Sequence, residues 1–202
     1  MYIPPSFAGS RFRPPRDFLD AHSFATLVTA IDGVPFASHL PMLLDRERGV
    51  LLGHLAKANP HWRSLGGAES LAIYSGPHAF VSADWYASSP AVPTWNFTAV
   101  HVYGLARTIT EEALLSDLVT RLSHKYEPAP RWPGEMPNEY RRGLLKGIVG
   151  VELPLARVEG KFKLSQNRSV ADRRAVIAVL ERQGETPREL AAMMREALER
   201  PT

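Results

Sequence analysis

The stretch from Thr94 to Ile109 sets the tightest limit on the fold. Its odd positions are Trp95, Phe97, Ala99, His101, Tyr103 and Leu105, and its even positions are Asn96, Thr98, Val100, Val102, Gly104 and Ala106. Side chains along a strand point alternately to opposite faces. Neither face here is polar, so a strand over this stretch has to be covered on both sides. In a small barrel one face fills the interior. The other then needs a helix or a second copy of the chain to hide it.

The rest of the chain reads as short strands with helices set around them. A helix is predicted from Pro15 to Phe24, with proline near its start where the missing N–H costs nothing. Ala25–Ile31 and Pro35–Leu44 are strands joined by Asp32-Gly33, a hairpin signal that needs positive φ. Gly49–Leu55, Ser70–Ser75 and His78–Ser82 are further strands. Asn59-Pro60 marks a helix start, with Trp62 and Leu65 turned inward and a stop at Gly66-Gly67. A helix over Thr110–Lys125, capped by Thr110, precedes a proline-rich loop from Glu127 to Pro137 and a short helix, Asn138–Lys146. Ile148–Leu164 reads as one strand broken at Pro154, and two helices, Val170–Gln183 and Thr186–Glu199, close the chain. No βαβ alternation occurs. The pattern implies an α+β or mainly β fold: an antiparallel barrel with peripheral helices and a C-terminal helical hairpin, folded as one domain over residues 1–202 with 165–202 as its helical extension.

Composition narrows the chemistry. The chain is 45% hydrophobic and 22% charged, values of a folded globular protein. Cysteine is absent, which removes disulfides, thiolate catalysis, iron–sulfur clusters and the common zinc motifs. No apolar run is long enough to span a membrane, and Met1–Phe7 shows no charged-then-apolar leader pattern, so a cytoplasmic protein is expected. The net charge of +3 is scattered rather than gathered on one element.

Histidine is the first suspect for a site. His39, His54 and His101 lie on three predicted strands and could converge on a metal or a heme, but no close-set ligand pair occurs; separate half-buried histidines are the favoured reading and no metal is expected. No serine-hydrolase elbow is present, and no catalytic residue stands out. An anion site is better supported. Lys57 stands just before the Asn59-Pro60 helix start, where unpaired backbone N–H groups would welcome a phosphate.

A series of short phrases then gathers these features. They are Met1-Tyr2-Ile3-Pro4, Ser38-His39-Leu40-Pro41, Gly53-His54-Leu55-Ala56-Lys57-Ala58-Asn59-Pro60-His61-Trp62, Trp85-Tyr86, Pro93-Thr94-Trp95-Asn96-Phe97 and Lys161-Phe162-Lys163-Leu164-Ser165-Gln166-Asn167. In this order the set resembles the PaiB-like family of FMN-binding negative transcriptional regulators, over nearly the whole chain. The resemblance implies a flavin split barrel in which two subunits pack barrel to barrel with FMN in the groove between them. It implies Ser38, His39, Lys57 and Asn59 on the phosphate side, and Thr94, Trp95, Asn96 and His101 near the ring or ribityl chain, with Lys163, Gln166 and Asn167 as further polar candidates. Two departures stand out: the family often has Arg where Lys57 stands and Tyr where Phe97 stands.

Direct DNA binding is not expected. From Ser165 onward seven arginines face six acids, a poor match for a phosphate backbone, and Leu190, Met193, Met194 and Leu198 form an apolar stripe suited to packing. A regulatory effect would then run through bound flavin or a protein partner. A flavin-dependent oxidoreductase and a heme-handling protein are the alternatives that the resemblance leaves open.

Overall fold

Asp32 and Gly33 adopt φ of 51° and 80°, the pair of positive angles that lets a two-residue turn follow the twist of its strands. They close the hairpin between β1 (Phe24–Ile31) and β2 (Val34–Pro41), which follows a short helix, α1 (Pro15–Ala21). The computed structural model describes residues 1–8, 14–129, 132, 134 and 136–199. Part of the predicted Glu127–Pro137 loop (130, 131, 133 and 135) and Arg200 therefore lie outside the described residues.

The return strand is shorter than predicted. Met42 donates its N–H to the Ser23 carbonyl, 2.8 Å away, and the chain turns into another sheet as β3 (Leu43–Asp45), followed by β4 (Val50–Ala56). Ser70–Val81 is one strand, β5, where two were predicted; Gly76 and Pro77 continue it. The opposite correction applies to Thr94–Ile109, which is two strands, β6 (Thr94–Gly104) and β7 (Arg107–Ile109). A Cβ at Gly104 would lie 2.4 Å from the Pro154 carbonyl oxygen, so the chain leaves the first sheet where only glycine fits.

The helices α2 (Glu112–Tyr126) and α3 (Asn138–Lys146) come next. Glu111, not Thr110, is the N-cap of α2, and it makes no side-chain cap bond. The broken strand is resolved into β8 (Ile148–Pro154) and β9 (Arg157–Lys163), which belong to different sheets. The last helices are α4 (Val170–Leu180), capped by Ser169, and α5 (Glu185–Glu199).

Hydrogen bonding orders the strands β2-β1-β5-β6-β9 in one sheet and β3-β4-β8-β7 in the other. The β1–β2, β1–β5, β3–β4, β4–β8 and β7–β8 pairs are all antiparallel. The architecture is mixed α+β with antiparallel sheets, as predicted.

The chain divides into two compact units. One comprises Leu19–Tyr74 and His101–Val158. Its core holds Leu27, Leu51, Tyr74, Val102, Val151 and Leu153, and α2 lays Leu118 and Leu122 against Leu43, Val50 and Leu52 of the four-stranded sheet. The other comprises Met1–Phe18, Ser75–Val100 and Glu159–Thr202. Here Phe18 meets Phe162 edge to face at 5.3 Å, and α4 and α5 pack as the predicted hairpin, burying Val176, Leu180, Leu190, Met193 and Met194. Each such side chain contributes about 1.5–3 kcal/mol of burial.

Strand β6 alternates strictly. Asn96, Thr98, Val100, Val102 and Gly104 are buried, while Trp95 is 50% exposed and Phe97, Ala99, His101 and Tyr103 are half-buried. One of its two apolar faces is thus core, and the other is only partly covered within the chain. Among the described residues no helix is long and apolar enough to cross a membrane.

Candidate functional site

In the unit built on Leu19–Tyr74 and His101–Val158, the anion-site candidates gather at the end of β4. The β4–β8 register sets Ala56 opposite Ile148, and Lys57 donates its backbone N–H to the Gly147 carbonyl at 2.8 Å. The helix predicted at Asn59-Pro60 is a single 3-10 turn, Pro60–Ser64. Its inward residue is His61, fully buried, whereas Trp62 and Leu65 are half-buried.

That geometry corrects the expected cradle of free backbone donors. Pro60 has no N–H; the His61 N–H goes to Asn59 Oδ1 at 3.0 Å and the Asn59 N–H to the Ala56 carbonyl at 2.9 Å. Among the candidates at this corner the exposed Lys57 ammonium is left for an anion.

Ser38 and Asn59 are brought together but serve the frame. Asn59 Nδ2 donates to Ser38 Oγ at 2.9 Å, and the same hydroxyl is hydrogen-bonded to His61 Nδ1, also at 2.9 Å. Burial lowers the His61 pKa and keeps the ring neutral, and its Nε2 has no partner among the described residues. His61 was missed by motif reasoning, because a histidine inside a short phrase carries no sign of being its buried anchor. His39, on the opposite face of β2, is exposed, stacked on Phe24 and 3.0 Å from Thr26 Oγ1. His101 lies 3.4 Å from the Tyr103 hydroxyl. His54 is half-buried, its pKa lowered by burial. Among the described residues no three His, Cys, Asp or Glu side chains are grouped to hold a metal, so His39, His54 and His101 do not converge.

The remaining candidates belong to the other unit. Lys163 donates its ammonium to Thr94 Oγ1 and to the Trp95 carbonyl at 2.8 Å; burial first, and nearby Lys161 second, lower its pKa. Asn96 is buried, donating to Ser165 Oγ at 2.9 Å. Gln166 closes its own turn, accepting the Leu164 N–H at 2.7 Å and donating to the Phe162 carbonyl. Asn167 is exposed, and neither it nor Gln166 caps α4. Beside them lies an open aromatic face: Trp95 is 5.9 Å from the His78 ring and 6.2 Å from Phe80, itself 48% exposed, and Lys161 sits 5.3 Å over Phe97.

Residues 1–157 match the family model described as "Putative FMN-binding domain". The chain is 34% identical, over 99% of both chains, to "Protease synthase and sporulation protein PAI 2" of Bacillus subtilis. Among solved structures, the FAD and heme binding protein from Mycobacterium smegmatis superposes with a TM-score of 0.61 at 18% identity, over 80% of this chain and 75% of that one. The flavocytochrome Anf3 from Azotobacter vinelandii gives 0.57 at 18% identity, over 75% and 67%. At such identities the two structures speak for a shared fold.

Proposed function

This chain belongs to the PaiB-like family of FMN-binding-domain proteins, and from that premise we propose that it binds flavin mononucleotide and acts through it as a homodimer. The observation that carries this reading is the family match over residues 1–157, which spans both the Lys57 corner and the aromatic face around Trp95. The residues present fit the cofactor's two ends chemically. Lys57 offers an uncommitted cation to a phosphate, and Trp95, Phe80 and His78 offer flat rings to a conjugated one.

The ring-side candidates narrow to side chains that are still accessible. Asn96 and Gln166 are bonded within their own unit and Thr94 and Lys163 are bonded to each other, so Trp95, His101 and Asn167 carry that role. On the phosphate side Lys57 and His39 reach outward, while Ser38 and Asn59 act as their support. When bound, the flavin supplies one- and two-electron chemistry, and the protein supplies position and exclusion of water. The half-covered face of β6 supports the dimer: a second copy would hide Trp95 and its neighbours.

A regulatory role is part of the proposal, exercised through flavin or a protein partner rather than by reading DNA. Leu190, Met193 and Met194 of the C-terminal stripe are buried, and Leu198 is half-buried. Purified protein should bind DNA weakly, without sequence preference and with strong salt dependence. Nanomolar, sequence-selective binding at physiological salt would overturn that part.

The test of the cofactor is a titration. FMN should quench on binding, and Lys57→Ala should weaken FMN by about tenfold while leaving riboflavin, which lacks the phosphate, unchanged. A folded protein with no affinity for FMN would sink the reading.

A further inference from the structure

The chain has five lysines. Three have their ammonium engaged: Lys125 with the Asp20 carbonyl, Lys161 with the Tyr2 carbonyl, and Lys163 with Thr94 and the Trp95 carbonyl. Lys57 and Lys146 make no such bond among the described residues, and both line one cavity of ≈ 320 Å³. The fold brings them there. The bond from the Lys57 N–H to the Gly147 carbonyl ties residue 57 to the neighbour of residue 146, where α3 ends and β8 begins.

We propose that Lys57 and Lys146 together form a phosphate-monoester site, with Lys146 as the second cation, and that its occupant is the phosphate of the bound flavin. The inference rests on the flavin reading above and adds a residue that motif reasoning passed over.

The physical case begins with position 57. A phosphate monoester carries about −1.5 to −2 charges near neutral pH. Arginine, frequent here in the family, would meet it with a rigid two-pronged donor; lysine brings one point charge and no fork. A second ammonium from α3 restores the balance of charge and lets two separate oxygens be bonded. The surroundings favour it. Leu115 and Leu145 are buried beneath the cavity, so water is excluded from one side and the charges are less screened. The Trp62 indole donates to the Lys57 carbonyl at 2.9 Å and steadies the backbone from which Lys57 extends. The one acid on the wall, Glu112, is matched by Arg142 at 3.2 Å, so it offsets little of the positive charge. Thr110 adds a hydroxyl.

Both lysines are exposed and their ammonium groups lack partners among the described residues, so alanine at either should leave the fold intact, checked by an unchanged melting temperature. Lys146→Ala should weaken FMN by about three- to tenfold, and Lys57→Ala/Lys146→Ala by about a hundredfold, with riboflavin unaffected in each. Lys146→Arg should keep FMN affinity. The fall in FMN affinity with added salt should be shallower for Lys146→Ala than for the parent. Inorganic phosphate should raise the melting temperature of the parent protein and not of the double variant. If Lys57→Ala weakens FMN selectively and Lys146→Ala does not, the second cation is wrong and the flavin reading stands. If the parent binds no FMN but phosphate still protects it through both lysines, the site serves another phosphate ester and the cofactor assignment fails. No response to either ligand overturns the site.

Discussion

The lysine at the end of β9 and the lysine just beyond β4 both stood as cofactor candidates on motif alone, and the fold treats them in opposite ways. Lys163 is half-buried and already bonded to Thr94 and the Trp95 carbonyl, tying β9 to the start of β6. Lys57 is exposed, and its backbone is fastened to Gly147 and Trp62 while its ammonium is left over. A charge whose donors are used inside the chain holds strands together. One whose backbone is anchored and whose head is free is set out for something else.

The same contrast separates Ser38 from His39, adjacent on β2. Ser38 is buried between Asn59 and His61, and His39 stands exposed on the other face. The largest expected effect lies here. Ser38→Ala should cost about 2 kcal/mol in urea unfolding, because it strands a half-buried amide and a buried imidazole nitrogen. It should leave the preference for FMN over riboflavin in place. A variant of parental stability that loses that preference would make Ser38 a ligand instead of a support.

Lys163→Met comes next. It should cost about 1 kcal/mol, since it removes two donors to a partly desolvated site, while Lys57→Met should change unfolding by less than about 0.5 kcal/mol. Equal losses at the two positions would erase the distinction between them.

Acid should act on the His61 side of the comparison. Burial lowers the folded-state pKa of His61 and of His54. The unfolded chain then binds more protons, so the stability they support is complete above the ordinary imidazole value of about 6.5 and is lost as pH falls below it. Unfolding free energy should therefore decline on acidification through that window, and His61→Gln should flatten the decline. A parent protein equally stable well below the window would contradict the buried neutral ring. The smallest effect is expected at His39→Gln, which removes an exposed ring and should shift unfolding by no more than about 0.5 kcal/mol.

Much of the fold was legible because it depends on local chemistry. Asp32-Gly33 could close only a tight hairpin, the Leu190–Met194 stripe announced a packed helical pair, and the alternation in Thr94–Gly104 marked a strand with a face to hide. The ordered phrases around Lys57 and Trp95 carried the family. Other features rest on contacts between residues far apart in the chain, and no local pattern encodes those. Thr94–Ile109 had to part at Gly104 because the Pro154 carbonyl passes there, and Ser70–Val81 stayed whole because neighbouring strands outweigh the breaking tendency of Gly76-Pro77. Asn59 does cap the turn that starts at Pro60, but the turn is 3-10 and the cap itself takes the His61 N–H, and His61 is the buried residue, bonded to Ser38 of β2. Lys57 and Lys146 meet for the same reason: pairing between β4 and β8, a long-range hydrogen-bonded register, is what turns two ordinary surface lysines into neighbours.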